Sequence, residues 1–342
     1  MSLLAIRDLE VEFVTDQGIA RVLDRISLDI APGEVVGLVG ESGCGKTTLA
    51  RTILGILPPA GQIRGGEVRF QGHDLLREDP RRVNDRVRGK AITFIPQDPF
   101  TSFNPVFTVG TQMMDLMKWK SPLVTNGSRW PALVAPYRRA RYRADRAAVL
   151  ELLRAVRIPE PERALRRLPH EFSGGQRQRL MIAMALLPRP DLVIADEPTT
   201  ALDVTIQAQI LKLLAELVKD RGVSVLFTTH DLGTAYEICD RIIVMYAGQE
   251  MESAPTDVFF RRPAHPYTRK LLDSLPDPDA EPREIRGDVP TLIDPPPGCR
   301  FHPRCDFASA ECRATPPAAV RIDAAHSVRC YHPVDVPTPA RR

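Results

Sequence analysis

Val35-Val36-Gly37-Leu38-Val39 runs directly into Gly40-Glu41-Ser42-Gly43-Cys44-Gly45-Lys46-Thr47-Thr48, and this stretch decides the fold. Its first part is a short apolar run of the kind that forms a strand buried on both faces. Gly40 to Thr47 fits G-x-x-x-x-G-K-[ST], in which glycines let backbone N–H groups close around phosphate. A helix starting near Lys46 aims the positive end of its dipole at the same charge. Lys46 then neutralises the outer phosphates of a nucleotide, while the Thr47 hydroxyl offers oxygen to Mg2+, a hard cation. A chance glycine turn before a helix is the plain alternative, and the strand and helix on either side weigh against it.

Such a site needs an acidic half. Leu192-Val193-Ile194-Ala195-Asp196-Glu197 is an apolar strand ending in two carboxylates. Asp196 would hold Mg2+, and Glu197, pointing differently because adjacent side chains of an extended segment diverge, becomes the candidate general base. Further apolar runs at 91–95, 223–228 and 242–246 alternate with helical patterns, which reads as α/β with a largely buried sheet. Between 204 and 220, Ile206, Ile210, Leu213, Leu214 and Leu217 recur at helical spacing, and Gly222 stands where a terminating glycine belongs.

Composition bounds the rest. At 342 residues the chain exceeds one usual core, so one large domain with additions or two modules is expected. Hydrophobic residues at 43% and charged residues at 26% argue against wholesale disorder, collagen-like structure and a membrane-embedded body. A net charge of +3 gives no case for an electrostatic nucleic-acid binder. The N-terminus lacks a basic segment followed by a long apolar one, and no run reaches the roughly 18 apolar residues of a spanning helix, so a cytoplasmic protein without its own membrane span is expected.

Half of the 32 prolines lie from Pro255 onward, which reads as a separate, loop-rich module without long helices. Within it Cys299, Cys305, Cys312 and Cys330 have five, six and seventeen residues between them. Four thiolates ligate either structural zinc or an iron–sulfur cluster; lacking a tight C-x2-4-C pair, the spacing leans to iron–sulfur. Four buried or free cysteines are the plain alternative, and His302, His326 and His332 are substitute ligands. From Leu116 to Ala144 there is no Asp or Glu, while Lys118, Lys120, Arg129, Arg138, Arg139, Arg141 and Arg143 accompany the two tryptophans, Trp119 and Trp130. With Pro122, Gly127, Pro131 and Pro136 it reads as a solvated loop insertion, or more sharply as a surface docking on a membrane partner or lipid headgroups.

Four further segments extend the pattern: Phe94-Ile95-Pro96-Gln97-Asp98, Phe172-Ser173-Gly174-Gly175-Gln176, Ala201-Leu202-Asp203 and Thr228-Thr229-His230-Asp231. With the glycine loop and Asp196-Glu197 they occur in the order of the ATP-binding cassette (ABC) family, which the chain resembles. They match its Q-loop, signature (with Phe where Leu is commoner), D-loop and H-loop. The resemblance implies a P-loop NTPase fold: a RecA-like core with an antiparallel β subdomain over 1–96 and 173–255, and a helical signature subdomain over 97–172 that carries the basic insertion at about 118–143. The Pro-rich C-terminal region would span 256–342.

In the residues themselves, Ser173 caps a helix whose N-terminus, eased by Gly174 and Gly175, makes a second anion site. The resemblance implies that Ser173, Gly174, Gly175 and Gln176 close over ATP held by a second ABC ATPase subunit, identical or related, and that Asp203 joins the same contact. It also implies that Gly40, Ser42, Gly43, Cys44, Gly45, Lys46, Thr47 and Thr48 hold ATP, that Phe13, ahead of the first sheet elements, stacks on adenine, and that Thr47, Gln97 and Asp196 serve Mg2+. Glu197, His230 and Gln97 would be catalytic.

His265-Pro266-Tyr267-Thr268 and Pro295-Pro296-Pro297-Gly298-Cys299-Arg300-Phe301-His302-Pro303-Arg304-Cys305 resemble the C-terminal region of dipeptide and oligopeptide permease ATPases. That likeness implies a [4Fe-4S] cluster on the four cysteines, two transmembrane permease subunits, an extracytoplasmic peptide-binding protein and a peripheral place on the cytoplasmic membrane face, with no nucleic acid. A soluble ABC clamp in DNA repair or translation is the alternative. Such proteins carry a long coiled-coil insertion or two cassettes in one chain, and neither is read in this sequence. A catalytically silent cassette conflicts with the complete Lys46, Asp196, Glu197 and His230 set.

Overall fold

The computed structural model describes residues 2–123, 137–199, 203–275 and 285–334. The chain divides into two compact units, Met1–Arg77 with Phe227–Arg342, and Glu78–Leu226.

The first unit opens with β1 (Leu4–Thr15), β2 (Gly18–Ile30), β3 (Val35–Val39), α1 (Lys46–Leu54), β4 (Gly61–Phe70) and the short β5 (His73–Asp74). The second holds α2 (Pro80–Arg86), β6 (Ile92–Ile95), α3 (Pro99–Ser102), α4 (Val109–Lys120), α5 (Arg139–Ala155), α6 (Pro161–Ala164), α7 (Gly174–Leu186), β7 (Leu192–Asp196) and α8 (Val204–Arg221). Strand β8 (Ser224–Thr229) carries the chain back to the first unit. There follow α9 (Leu232–Ile238), β9 (Arg241–Tyr246), β10 (Gln249–Pro255), α10 (Thr256–Arg261), α11 (Pro266–Asp273), α12 (Ala310–Ala314), β11 (Val320–Arg321) and β12 (Ser327–Val328).

Each apolar run of the sequence falls on a strand, and the α/β expectation holds. In the first unit one antiparallel sheet has the order β2-β1-β4-β5, and a second sheet includes β11-β12-β10-β9-β3. There β3 and β9 are parallel, with Val36 opposite Arg241 and Val39 opposite Val244. In the second unit β6 and β7 are parallel, Ile92 facing Leu192 and Ile95 facing Ala195. Strand β7 is buried along its whole length, as a parallel strand covered on both faces must be. Helix α8 matches its spacing: Ile210, Leu213, Leu214 and Leu217 are buried, and Gly222 ends the helix at φ 63°.

Two expectations need correction. The C-terminal region is short in helix, as its prolines require, yet it is not a separate module. Tyr267 and Phe301 are fully buried with Tyr246 of β9, their ring centroids 4.6 to 5.2 Å apart, and β12 pairs with β10. Aromatic burial therefore joins this region to the body of the first unit. The basic stretch is not loop throughout: Lys118, Trp119 and Lys120 close α4, and Arg139 opens α5. Lys120 is also bound inward, its Nζ donating to the carbonyls of Asn84 at 2.7 Å and Arg88 at 2.8 Å. Arg129, Trp130 and the rest of 124–136 lie outside the described residues.

Candidate functional site

In the first unit the glycine loop leaves β3 at Gly40 and enters α1 at Lys46. Gly40 stands at φ 150° and Gly45 at φ 109°, where L side chains are strained. A Cβ on Gly40 would be driven into the Met245 carbonyl oxygen, and one on Gly45 would lie 2.8 Å from that of Val22. The loop's packing thus demands both glycines and leaves a cradle of bare backbone. Lys46 is only 6% exposed. Its Nζ donates to the Gly40 carbonyl at 2.7 Å and the Glu41 carbonyl at 3.3 Å, so the ammonium is folded onto the loop. Burial pushes the Cys44 thiol up, against the pull of the neighbouring Lys46. Ser42 and Gly43 are exposed, and Thr47 and Thr48 are half-buried in the first turn of α1.

Glu41 was only a free position of the motif in the sequence, but here it is tied through both backbone and side chain. Its N–H donates to the Tyr267 hydroxyl at 3.2 Å. Its carboxylate accepts two hydrogen bonds from Arg304, at 2.8 and 3.1 Å. Nothing local announces a partner 263 residues away.

Phe13 lies inside β1, opposite Ala20 and Gly61, and not ahead of the sheet. Its half-buried ring passes over Gly61, where a Cβ would come within 3.1 Å of Phe13 Cζ. His230 is exposed just after β8. The turn beyond it is fixed by Asp231, whose N–H donates to Thr229 Oγ1 at 2.9 Å and whose carboxylate accepts from Gly233 N–H at 2.9 Å, capping α9.

In the second unit Asp196 is the last residue of β7 and 5% exposed. Glu197 departs from the expected extended backbone. It stands at φ 45°, the left-handed region, so its side chain is turned away from Asp196 by a backbone reversal and not by strand alternation. Gln97 Nε2 donates to Glu197 Oε2 at 3.0 Å, which brings two of the sequence-selected residues into contact.

Ser173 caps α7 as read: its hydroxyl accepts from Gln176 N–H at 3.3 Å, and Gln176 Oε1 accepts from Ser173 N–H at 3.1 Å. Gly175 also has a packing reason. It is buried, and a Cβ there would lie 2.8 Å from Ile206 Cγ2 of α8. Asp203 caps α8 by accepting from Ile206 N–H at 3.0 Å. Ala201 and Leu202, beside it, lie outside the described residues.

Cys299, Cys305, Cys312 and Cys330 line one cavity with His265, Phe301 and His302. Burial pushes the Cys299 thiol up to about 11, helped by Cys312 and Cys305, and the Cys330 thiol up to about 12, helped by Cys299, Cys305 and Cys312. Among the described residues no group of three or more His, Cys, Asp or Glu side chains stands ready to hold a metal ion. The expected ligands are therefore gathered around a cavity and not as a closed coordination set. His302 is turned to the Cys299 carbonyl, 2.9 Å from Nδ1, and His326 to Glu252 at 2.8 Å.

Among the described residues no helix is long and apolar enough to cross a membrane. Residues 23–200 match the family model of ABC transporters, and the chain belongs to that family, as an ATP-binding subunit that hydrolyses ATP. Residues 251–312 match the C-terminal region of oligopeptide and dipeptide transporters, which assigns it to that type. It is 45% identical to the probable peptide ABC transporter ATP-binding protein y4tR of Sinorhizobium fredii, over 98% of this chain and 96% of the relative. It is 41% identical to the dipeptide transport ATP-binding protein DppD of Escherichia coli, over 98% of each chain. A dimeric ATP-binding cassette, MJ0796, solved in a post-hydrolysis state with ADP and Pi, superposes with TM-score 0.60 at 26% identity, covering 74% of this chain and 98% of that one.

Proposed function

We propose that this protein supplies the ATP hydrolysis that drives di- and oligopeptide import through separate membrane permeases, from the cytoplasmic face of the membrane. One observation carries the substrate class: relatives over nearly the full length are peptide and dipeptide transport ATP-binding proteins, and the match includes the C-terminal region peculiar to that type.

In this reading Gly40 to Thr48 hold the phosphates, with Lys46 turning its ammonium from the loop carbonyls to the ligand. The glycine cradle and the Lys46 position fit a phosphate chain. The Thr47 hydroxyl and Asp196 carboxylate are the hard oxygen donors suited to Mg2+, which typically takes one or two protein ligands and fills its remaining positions with water and phosphate. That ion would offset charge on the outer phosphates. Glu197 accepts the proton of the attacking water, Gln97 holds the Glu197 carboxylate, and His230 serves the γ-phosphate. Phe13 stacks on adenine. A second cassette, identical or related, presents its own Ser173-to-Gln176 turn and Asp203, so that ATP joins the two; the dimeric relative supports this arrangement.

The cysteine cavity is the proposed seat of the [4Fe-4S] cluster. Four thiols sharing one cavity supply the right donor chemistry, and burial, which raises the thiols of Cys299, Cys305 and Cys330, means that assembly must release protons. Its role here is to order a proline-rich segment. Loss of visible cluster absorption in Cys312→Ser, with folding, assembly and transport intact, would remove that role.

Affinity capture of the full-length chain tests the import reading. Recovery of two polytopic membrane proteins supports it, whereas recovery of ribosomes or DNA supports the clamp reading.

A further inference from the structure

We propose that Arg304 is a positioning residue for ATP binding, holding the nucleotide loop in its binding shape through Glu41. This rests on the reading of Gly40 to Thr48 as the phosphate cradle and adds to it a residue from the C-terminal region, outside every nucleotide motif.

A loop rich in glycine has little intrinsic reason to hold one backbone shape, because glycine loses the most conformational freedom on ordering. Some other part of the molecule must fix it. Within the loop Glu41 is held at three points. Its carbonyl accepts from Lys46 Nζ at 3.3 Å, its N–H donates to Tyr267 OH at 3.2 Å, and its carboxylate takes the two-pronged contact from Arg304 at 2.8 and 3.1 Å. The last is the strongest kind, a bidentate guanidinium–carboxylate pair that fixes orientation as well as distance.

Arg304 is itself immobilised. It is 8% exposed, and its remaining N–H groups donate to the Tyr246 hydroxyl at 3.3 Å, the Arg286 carbonyl at 3.2 Å and the Ile285 carbonyl at 3.1 Å. One turn earlier, Arg300 is fastened in the same way, donating to Asp24 Oδ2 at 2.8 Å and to the Ala247 carbonyl. The next residue, Gly248, donates its N–H to the Cys44 carbonyl of the loop at 2.9 Å. Two buried arginines of the Cys299–Cys305 turn thus grip the loop and the strand ends beside it.

The test is binding of a non-hydrolysable ATP analogue, with Mg2+, to the purified full-length chain and to Arg304→Met, Glu41→Gln and the double variant. Melting curves identify the temperature at which each is fully folded. Each single change is expected to weaken the analogue about tenfold, and the double variant to be no weaker than the worse single one, since both remove one contact. Glu41→Gln keeps the loop's size and leaves Arg304 in place, so it reports even if Arg304→Met does not fold. Lys46→Ala, run in parallel, separates the two readings. If Lys46→Ala loses affinity while Glu41→Gln and any folded Arg304→Met keep it, or if the losses add, the Arg304 proposal is overturned and the cradle stands. If Lys46→Ala also binds normally, the cradle reading falls and the proposal with it.

Discussion

Gln97 Nε2 donates a hydrogen bond to Glu197 Oε2 over 3.0 Å, and Glu197 holds a left-handed backbone at φ 45°. A bulky acidic residue in that region costs of order 1–3 kcal/mol, which surrounding structure must offset. That backbone and the Gln97 contact fix the direction of the carboxylate to which the proposed function gives the part of general base. Glu197→Gln is expected to keep ATP binding and to lower hydrolysis by about 10² to 10⁴ fold, the usual loss of a general base. Phosphate-release assays at saturating ATP decide it, and near-normal turnover would remove Glu197 from the role.

Gln97 acts on that carboxylate, so Gln97→Ala is expected to slow turnover about tenfold in the otherwise unchanged protein and hardly at all in the Glu197→Gln background. Independent, multiplying losses would show that Gln97 works elsewhere.

Gly175 serves packing as well as the proposed nucleotide contact. Gly175→Ala places a methyl group 2.8 Å from Ile206 Cγ2, and overpacking of this kind costs about 1–3 kcal/mol. Urea unfolding should show that loss, and Ile206→Ala, by removing the clashing methyl, should recover part of it. An undiminished midpoint in Gly175→Ala would remove the packing role.

How much of this was legible in the sequence depends on how local each cause is. The β3–loop–α1 segment and the Ser173 cap were readable, because their causes lie within a few residues. The left-handed Glu197 was not, since an acidic residue after an apolar run reads equally well as extended strand. Gly175 gave its presence but not its reason, which depends on Ile206 of a later helix. Among the described residues of the C-terminal region the helices are short, as the prolines suggest, but proline content hid its packing, because burial of Tyr267 and Phe301 is set by Tyr246 on β9.

His265 gives a pH signature. Burial holds its imidazole down at about 4, against an ordinary value near 6.5. Its Nδ1 accepts from Tyr267 N–H at 2.9 Å, which the protonated ring cannot do. The folded state therefore binds fewer protons than the unfolded one between these values. Stability should be fully present above about pH 6.5 and fall toward pH 4 by at most about 1.4 kcal/mol per pH unit. His265→Asn, whose amide oxygen can cap the same helix, should flatten that dependence in urea titrations. An equally steep fall in the variant would assign it to other groups.

The account turns on whether ATP hydrolysis by this chain moves peptide. The direct measurement is uptake of a labelled dipeptide by vesicles reconstituted with the permeases, the peptide-binding protein and this subunit, supplied with MgATP on the subunit's side. Uptake is expected with the natural chain and is expected to vanish with Glu197→Gln while ATP remains bound. Uptake that persists undiminished in Glu197→Gln, or ATP turnover by the natural complex with no peptide moved, would contradict it.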